Sequence, residues 1–304
     1  MERWTADRIA DQGGRTFVVT GANSGLGFET ARQLAAHGGR VVLTARSEEK
    51  GSAAVARLKA GQPTAAVEYR LLDLADLDSV RRFAEGIAEQ GIAVDVLVNN
   101  AGVMMPPRRL SAQGFESQFA TNHLGHFALS GLLFDTIARG RDPRIVTVSS
   151  TLHKRGEIHF DDLTGERSYT PTGYYAQSKF ANVLFGLELD RRLRAAGSPV
   201  RSLLAHPGYS DTNLQTSGPT GLSKQVMRIG NKILAQSAQM GALNQLYAAV
   251  DPAAESGRFY GPDGFGENRG HPTVVQPIES AKNEETARRL WAISEDLTGV
   301  AWKL

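Results

Sequence analysis

The chain has 304 residues, 41% hydrophobic and 22% charged, with 34 Lys plus Arg against 32 Asp plus Glu. That is enough apolar material for a packed core, and a net charge of +2 argues against nucleic acid as a partner. No cysteine is present, which excludes disulfides, thiolate catalysis and cysteine zinc sites.

The N-terminal stretch has no apolar run, and no stretch approaches ~18 uninterrupted apolar residues. Neither a signal peptide nor a spanning helix is therefore expected, and the expected compartment is the cytoplasm.

Short β-branched runs alternate with longer helical patterns over the first two-thirds of the chain. Thr16–Thr20 predicts a first strand, and Leu26–His37 a helix. Arg40–Thr44, then Glu48–Lys59, repeat the unit. Val67–Leu72 with Ser79–Gln90, Val94–Asn99 with Gly114–Ile137, and Arg144–Ser149 with Tyr175–Ala195 continue it. Val200–Ala205 is a sixth strand. Helical patterns at Leu222–Leu234 and Gly241–Val250, a seventh strand at Gly257–Gly261 and a last helix near Asn283–Leu297 follow. Several strands are near-continuous apolar runs, as strands covered on both faces are. The alternation predicts an α/β fold: a doubly wound, mostly parallel seven-stranded sheet with helices on both faces, in a single domain spanning 1–304. No Pro- or Gly-rich linker divides it.

The first strand runs into Thr20-Gly21-Ala22-Asn23-Ser24-Gly25-Leu26-Gly27. A chain that turns from strand to helix and lets a pyrophosphate approach its backbone needs glycine where side chains would collide. The helix N-terminus then offers free N–H groups to the anion. Gly21, Asn23, Ser24, Gly25, Leu26 and Gly27 are therefore candidate binders of a dinucleotide in a Rossmann-type crevice. A bare glycine-rich turn is the alternative. An NAD site wants a carboxylate at the end of the second strand for the ribose hydroxyls. This chain has Leu43-Thr44-Ala45-Arg46 there, with Lys50 one turn later. A guanidinium suits a ribose 2′-phosphate, so Arg46 and Lys50 favour NADP(H) over NAD(H). Asp73, beside Leu74 after the third strand, either accepts from the adenine amine or caps the following helix. Asn100, Ala101 and Gly102 follow the fourth strand, whose end opens on the same crevice.

Tyr175 and Lys179 lie at i, i+4 and share a helix face. A phenol with pKa near ~10 works as an acid or base at neutral pH only if its anion is stabilised, which a neighbouring ammonium does. The YxxxK spacing alone is weak, since a chain of this length shows it about half the time by chance. Ser150 strengthens it: a hydroxyl at the end of the fifth strand can donate to a carbonyl oxygen as charge develops. Asn122 is a polar residue inside a helical pattern that disfavours it. It is a candidate to link Lys179 to backbone or water.

TGANSGLG, NNAG, Asn122, Ser150, YAQSK and His206-Pro207-Gly208, in this order, resemble the short-chain dehydrogenase/reductase superfamily. NNAGVMMPP, TNHLGHF, HFDDL, SKFANVLF and RRLWAISEDLTG are similar to its retinol dehydrogenase, WW-domain oxidoreductase and protochlorophyllide reductase-like branch. The likeness runs from Arg15 to the C-terminus. It implies that Tyr175 exchanges the proton, that Lys179 lowers its pKa and holds the nicotinamide ribose, and that Ser150 rather than Ser149 orients the carbonyl. It implies a proton-relay water on Asn122, and Pro207, Gly208 and Thr212 beside the nicotinamide. It also implies a dinucleotide-binding core over 14–206, a substrate lid region over 208–250, and a last strand and C-terminal helix over 257–304. The implied activity is hydride transfer between NADP(H) and a carbonyl/alcohol pair of a lipophilic small molecule. A non-catalytic NADP sensor, or ene reduction or epimerisation on bound nicotinamide, are the rival readings. Both a monomer and a homodimer through the Tyr175 helix are compatible with the likeness.

The chain departs from the pattern at Ser24, where many NADP-dependent relatives carry a basic residue, and its first residues show no apolar run, so the N-terminal anchor of the retinol-type membrane enzymes is not expected. The Leu152–Gly173 segment between Ser150 and Tyr175 is expected to form a loop beside the site. His123 and His126 lack the further ligands a metal needs and are expected to pack in their helix. The apolar stripe of Leu222, Val226, Ile229 and Ile233 is expected to cover the pocket, with contact to a membrane as the sharper alternative. Met104 and Met105 either line the pocket or join the core.

Overall fold

A computed structural model describes residues 3–209 and 236–304. The expected Leu222–Leu234 helix, Thr212 and most of the 208–250 lid region lie outside the described residues.

The described strands are β1 (Thr16–Val19), β2 (Arg40–Ala45), β3 (Val67–Leu71), β4 (Val96–Asn99), β5 (Arg144–Val148), β6 (Arg201–Ala205), β7 (Phe259–Pro262) and β8 (Pro272–Val275). They form one sheet in the order β3-β2-β1-β4-β5-β6-β7-β8, parallel throughout except for the antiparallel β7–β8 pair. The described helices are α1 (Gly25–Ala36), α2 (Glu48–Gly61), α3 (Leu77–Ala88), α4 (Ser117–Phe119), α5 (Gly125–Leu132), α6 (Phe134–Ala138), α7 (Pro171–Ala195), α8 (Ala238–Val250) and α9 (Glu284–Thr298).

The period of two along each strand divides the core. Phe17, Val19, Val41, Leu43, Val96 and Val98 face α1, α2 and α8. Val18, Val42, Leu97 and Ile145 face α3, α5 and α7. Each of these buried Val, Leu, Ile or Phe side chains contributes about 1.5–3 kcal/mol relative to exposure. Arg144, fully buried, caps α8 instead: its Nη1 donates to the carbonyls of Ala248 and Asp251, both at 2.9 Å. Strand order reverses between β1 and β4. The crevice outside the carboxyl ends of these strands is where open α/β sheets bind ligands.

Three expectations are corrected. The sheet has eight strands among the described residues, not seven. β8 is four residues long, begins with a proline and pairs at an edge, and so carries little strand signal of its own. The helix expected over Gly114–Ile137 is broken. It begins at Ser117, passes through a π-helical turn at Ala120–Leu124, and breaks again at Leu133. The helix carrying Tyr175 begins at Pro171, because Thr170 accepts from the Gly173 N–H and proline suits the first helical position.

Candidate active site

The loop after β1 is dictated partly by packing. Gly21 has φ +63°, and a Cβ there would sit 2.8 Å from the Ala101 Cβ. A Cβ on Gly27 would sit 2.8 Å from the Gly21 carbonyl oxygen and also strike Asn100. These two glycines thus let the loops after β1 and β4 interlock, a role the glycine pattern alone does not reveal. Gly25 has φ +58° and opens α1, whose N-cap Ser24 makes no side-chain capping bond. By contrast Ser47, Asp76, Thr170, Ser237 and Asn283 cap α2, α3, α7, α8 and α9 through their side chains. The first-turn N–H groups of α1 are therefore available to an anion, which fits a dinucleotide pyrophosphate.

Thr44, near the end of β2, holds this loop: its Oγ1 accepts from the Gly21 N–H at 3.1 Å and its carbonyl from the Ala22 N–H at 3.1 Å. Arg46, two residues on, is exposed and forms no ion pair among the described residues. The Lys50 side chain is exposed on the first turn of α2. No carboxylate stands at the end of β2. Arg46 and Lys50 are thus the basic groups that the end of β2 presents to solvent. Asp73 does not cap α3: its carboxylate accepts from the Ala75 N–H at 3.0 Å, and the N-cap is Asp76. Leu74 packs under Gly125, where a Cβ would strike the Leu74 carbonyl oxygen.

Asn100 joins three elements. Its Nδ2 donates to the Thr20 carbonyl at 2.8 Å, and its Oδ1 accepts from Gln245 on α8 at 3.2 Å. The Thr20 hydroxyl oxygen accepts from the N–H groups of Asn100 and Ala101, both at 2.9 Å. It also lies 2.9 Å from His126 Nε2. His126 Nδ1 lies 3.1 Å from the Asn122 carbonyl, which can only accept, so the ring is protonated on Nδ1 and accepts from Thr20 on Nε2. Burial holds His126 down to about 4, in keeping with a neutral ring. His123 donates to or accepts from Ser294 on α9 at 2.9 Å. The two histidines are thus held by separate hydroxyls on separate elements.

Ser150 directly follows Val148-Ser149 at the end of β5; its hydroxyl accepts from the Leu152 N–H at 3.2 Å and lies near enough to the Tyr175 phenol to draw its pKa down. The Ser149 hydroxyl is committed to the backbone of α7, donating to the Lys179 carbonyl at 2.8 Å. Lys179 Nζ lies 5.8 Å from the Tyr175 ring centroid and donates to the Val148 carbonyl at 3.2 Å. Both side chains are buried. Burial pushes the Tyr175 phenol up to about 12, with Ser150 opposing, and draws the Lys179 ammonium down to about 8. A Cβ on Gly102 would lie 3.1 Å from Asn122 Oδ1 and 3.6 Å from Lys179 Nζ, so both side chains pack against this glycine.

The Asn122 carboxamide does not reach Lys179. It accepts from the Val103 N–H at 2.8 Å and donates to the Val103 carbonyl at 3.0 Å and Ser178 Oγ at 2.9 Å. It sits in the π-helical turn, where the widened backbone departs from the ordinary ladder. Met104 and Met105 are half-buried rather than core residues, and Met105 Sδ accepts from the Thr172 hydroxyl at 3.7 Å. The segment after Ser150 forms a short 3-10 turn at Thr151–Arg155 and is then irregular up to α7. Pro207 and Gly208 follow β6 on the same side of the sheet as Ser150.

A model of the short chain dehydrogenase family matches residues 15–223. The chain belongs to that family. Human retinol dehydrogenase 13 is 41% identical to this short-chain dehydrogenase over 293 residues, covering 94% of this chain and 85% of that protein. Mouse polyprenol dehydrogenase is 40% identical over 297 residues, covering 96% and 86%. The crystal structure of an uncharacterised protein from Mycobacterium paratuberculosis covers 100% of both chains with a TM-score of 0.83 and 44% identity. An NAD(P)-dependent gluconate 5-dehydrogenase structure from Beutenbergia cavernae with bound NADP superposes with a TM-score of 0.64 and 26% identity, covering 82% of this chain and 95% of that one. This short-chain dehydrogenase is accordingly an oxidoreductase of alcohol and carbonyl groups that uses a nicotinamide cofactor. Among its described residues no helix is long and apolar enough to cross a membrane.

The Thr20–His126 contact, the Asn100–Gln245 tie and the contacts of His153, Lys154 and Glu267 are not legible in the sequence as contacts. Asn122 and His126 at i, i+4 were a readable signal. The others join residues far apart in the chain and leave no local pattern.

Proposed function

We propose that this short-chain dehydrogenase transfers hydride between NADP(H) and the carbonyl/alcohol group of a lipophilic small molecule, with Tyr175, Ser150 and Lys179 as its catalytic residues and Asn122 as their support. The observation that carries the reading is the buried Tyr175 phenol, with the Lys179 ammonium 5.8 Å from its ring centroid and the Ser150 hydroxyl near enough to lower its pKa. Bound nicotinamide supplies or accepts the hydride.

In the reductive direction Ser150 donates to the substrate carbonyl oxygen, and Tyr175 delivers its phenolic proton as negative charge grows there. A phenol held near 12 by burial is protonated at neutral pH and ready for this role. The Lys179 cation, held against the Val148 carbonyl, stabilises the phenolate that results. In the oxidative direction the same phenolate takes the alcohol proton. The exposed Arg46, with no carboxylate beside it, favours the 2′-phosphate of NADP(H). Gly21 through Gly27, Asp73, Leu74, Asn100, Ala101, Gly102, Pro207 and Gly208 complete the cofactor cradle in this reading, within one domain whose expected compartment is the cytoplasm. Two relatives named for lipophilic alcohols, retinol and polyprenol, support a lipophilic substrate.

The test is NADPH oxidation against a panel of aldehydes, ketones and quinones of graded chain length, with Tyr175→Phe in parallel. Turnover that rises with apolar length and vanishes in the variant supports the reading. NADPH binding without turnover on any compound would sink it.

A further inference from the structure

Glu267, on the hairpin between β7 and β8, joins two loops that border the catalytic residues. Its Oε1 accepts from Lys154 Nζ at 2.7 Å, and its Oε2 lies 3.1 Å from His206 Nε2. Lys154 belongs to the 3-10 turn that Ser150 opens, and in that turn His153 Nδ1 lies 2.6 Å from the Ser150 carbonyl. His206 begins the His206-Pro207-Gly208 segment. Its Nδ1 accepts from the Gly208 N–H at 3.2 Å, so the ring proton sits on Nε2 and is donated to Glu267. One carboxylate thus takes a bond from each loop.

The hairpin grips the second loop at further points. The Asn268 carbonyl accepts from the Tyr209 N–H at 2.8 Å. Gln236 donates to the Pro207 carbonyl at 2.6 Å and accepts from the Gly270 N–H at 3.2 Å. A Cβ on Gly208 would sit 2.8 Å from Pro262 Cγ, and one on Gly261 would strike His206.

An ordinary surface ion pair does not account for this arrangement. The His206 side chain is fully buried, and Glu267 is only 23% exposed although it lies on a hairpin tip. Glu267 also has φ +57°, directly after Gly266 at +63°. A left-handed conformation is unfavourable for a residue with a Cβ, and the hairpin adopts it with the carboxylate turned inward. The bond from His206, followed by that from Lys154, holds Glu267 down to about 2, so it is ionised throughout the physiological range.

We propose that Glu267 is a positioning residue that clamps the Ser150 turn to the His206-Pro207-Gly208 segment and so sets how firmly the nicotinamide half of the cofactor is held. The part concerning nicotinamide rests on the function proposed above. The clamp itself does not.

The test uses the whole chain with Glu267→Ala, Glu267→Gln and Lys154→Met. Amide hydrogen exchange without cofactor reads the clamp directly. Glu267→Ala should speed exchange in both 150–156 and 206–209 by about tenfold, the scale of one lost charge-assisted bond. Lys154→Met should loosen 150–156 alone. Glu267→Gln, which keeps an acceptor but loses the charge, should fall between wild type and Glu267→Ala. Binding then reads the consequence. Glu267→Ala should weaken NADPH about tenfold and leave 2′,5′-ADP, which lacks the nicotinamide half, unchanged.

Unchanged exchange in either loop of Glu267→Ala overturns the clamp. Parallel weakening of NADPH and 2′,5′-ADP overturns the positioning role in favour of general destabilisation. If Glu267→Ala does not fold, Lys154→Met and Glu267→Gln decide by the same measurements. Wild-type protein that binds neither ligand overturns the nicotinamide reading, and the exchange result then judges the clamp by itself.

Discussion

His126 Nε2 lies 2.9 Å from the Thr20 hydroxyl, so the helix that follows Asn122 is fastened to the first residue of the glycine-rich loop. The same ring bonds the Asn122 carbonyl at 3.1 Å. One buried neutral imidazole therefore sets the distance between the candidate cofactor loop and the turn beneath Lys179.

That imidazole makes stability depend on acid. Burial holds His126 and His153 to about 4 and His123 to about 3, against 6.5 in the unfolded chain. Above pH 6.5 both states are neutral and the histidines cost nothing. As pH falls below 6.5 the unfolded chain takes up protons that the fold refuses, so stability drops, down to about pH 4 for His126 and His153 and about pH 3 for His123. The His126 share is on the order of 3 kcal/mol. Thermal unfolding from pH 7.5 to 4.5 should show the fall. His126→Gln should be less stable at pH 7.5 yet lose less on acidification, and an equal slope would mean that His126 is not held neutral.

Tyr175→Phe removes the hydroxyl proposed to exchange the proton and leaves the ring in place. Turnover should fall by about 100- to 10,000-fold, the usual worth of a positioned acid or base, while NADPH affinity by fluorescence titration stays within about twofold.

Arg46→Asp places a carboxylate where the 2′-phosphate is expected. The ratio of kcat/KM for NADPH over NADH should fall by about 10- to 100-fold, the scale of a charged hydrogen bond lost. An unchanged ratio would show that Arg46 does not read the phosphate.

Gly125→Ala and Gly61→Ala should move stability in opposite directions. A Cβ on Gly125 would strike the Leu74 carbonyl and lie 2.9 Å from the Leu74 Cβ, and backbone there cannot yield cheaply. A loss of about 1–3 kcal/mol is expected. Gly61 ends α2 with nothing within 4 Å of a Cβ, so alanine should add up to about 1 kcal/mol. Denaturant midpoints measure both.

The βα alternation, the glycine turn, the absent carboxylate after β2 and the shared face of Tyr175 and Lys179 were all determined by the sequence itself. Each rests on periodicity or turn chemistry within a few residues, which any stretch of chain displays locally. β8 escaped because four proline-led edge residues carry too little pattern. The π turn escaped because Ala120–Leu124 reads as ordinary helix until its packing is known. Only the tertiary structure decided that Ser150 lies by the Tyr175 phenol while Ser149 bonds the Lys179 carbonyl, that Gly21 and Gly27 interlock two loops, and that Thr20 meets His126. The same is true of Glu267, which joins Lys154 to His206. These contacts bring together residues that the chain separates by tens to more than a hundred positions, and whether two such side chains meet depends on strand order and helix packing, which no local pattern encodes.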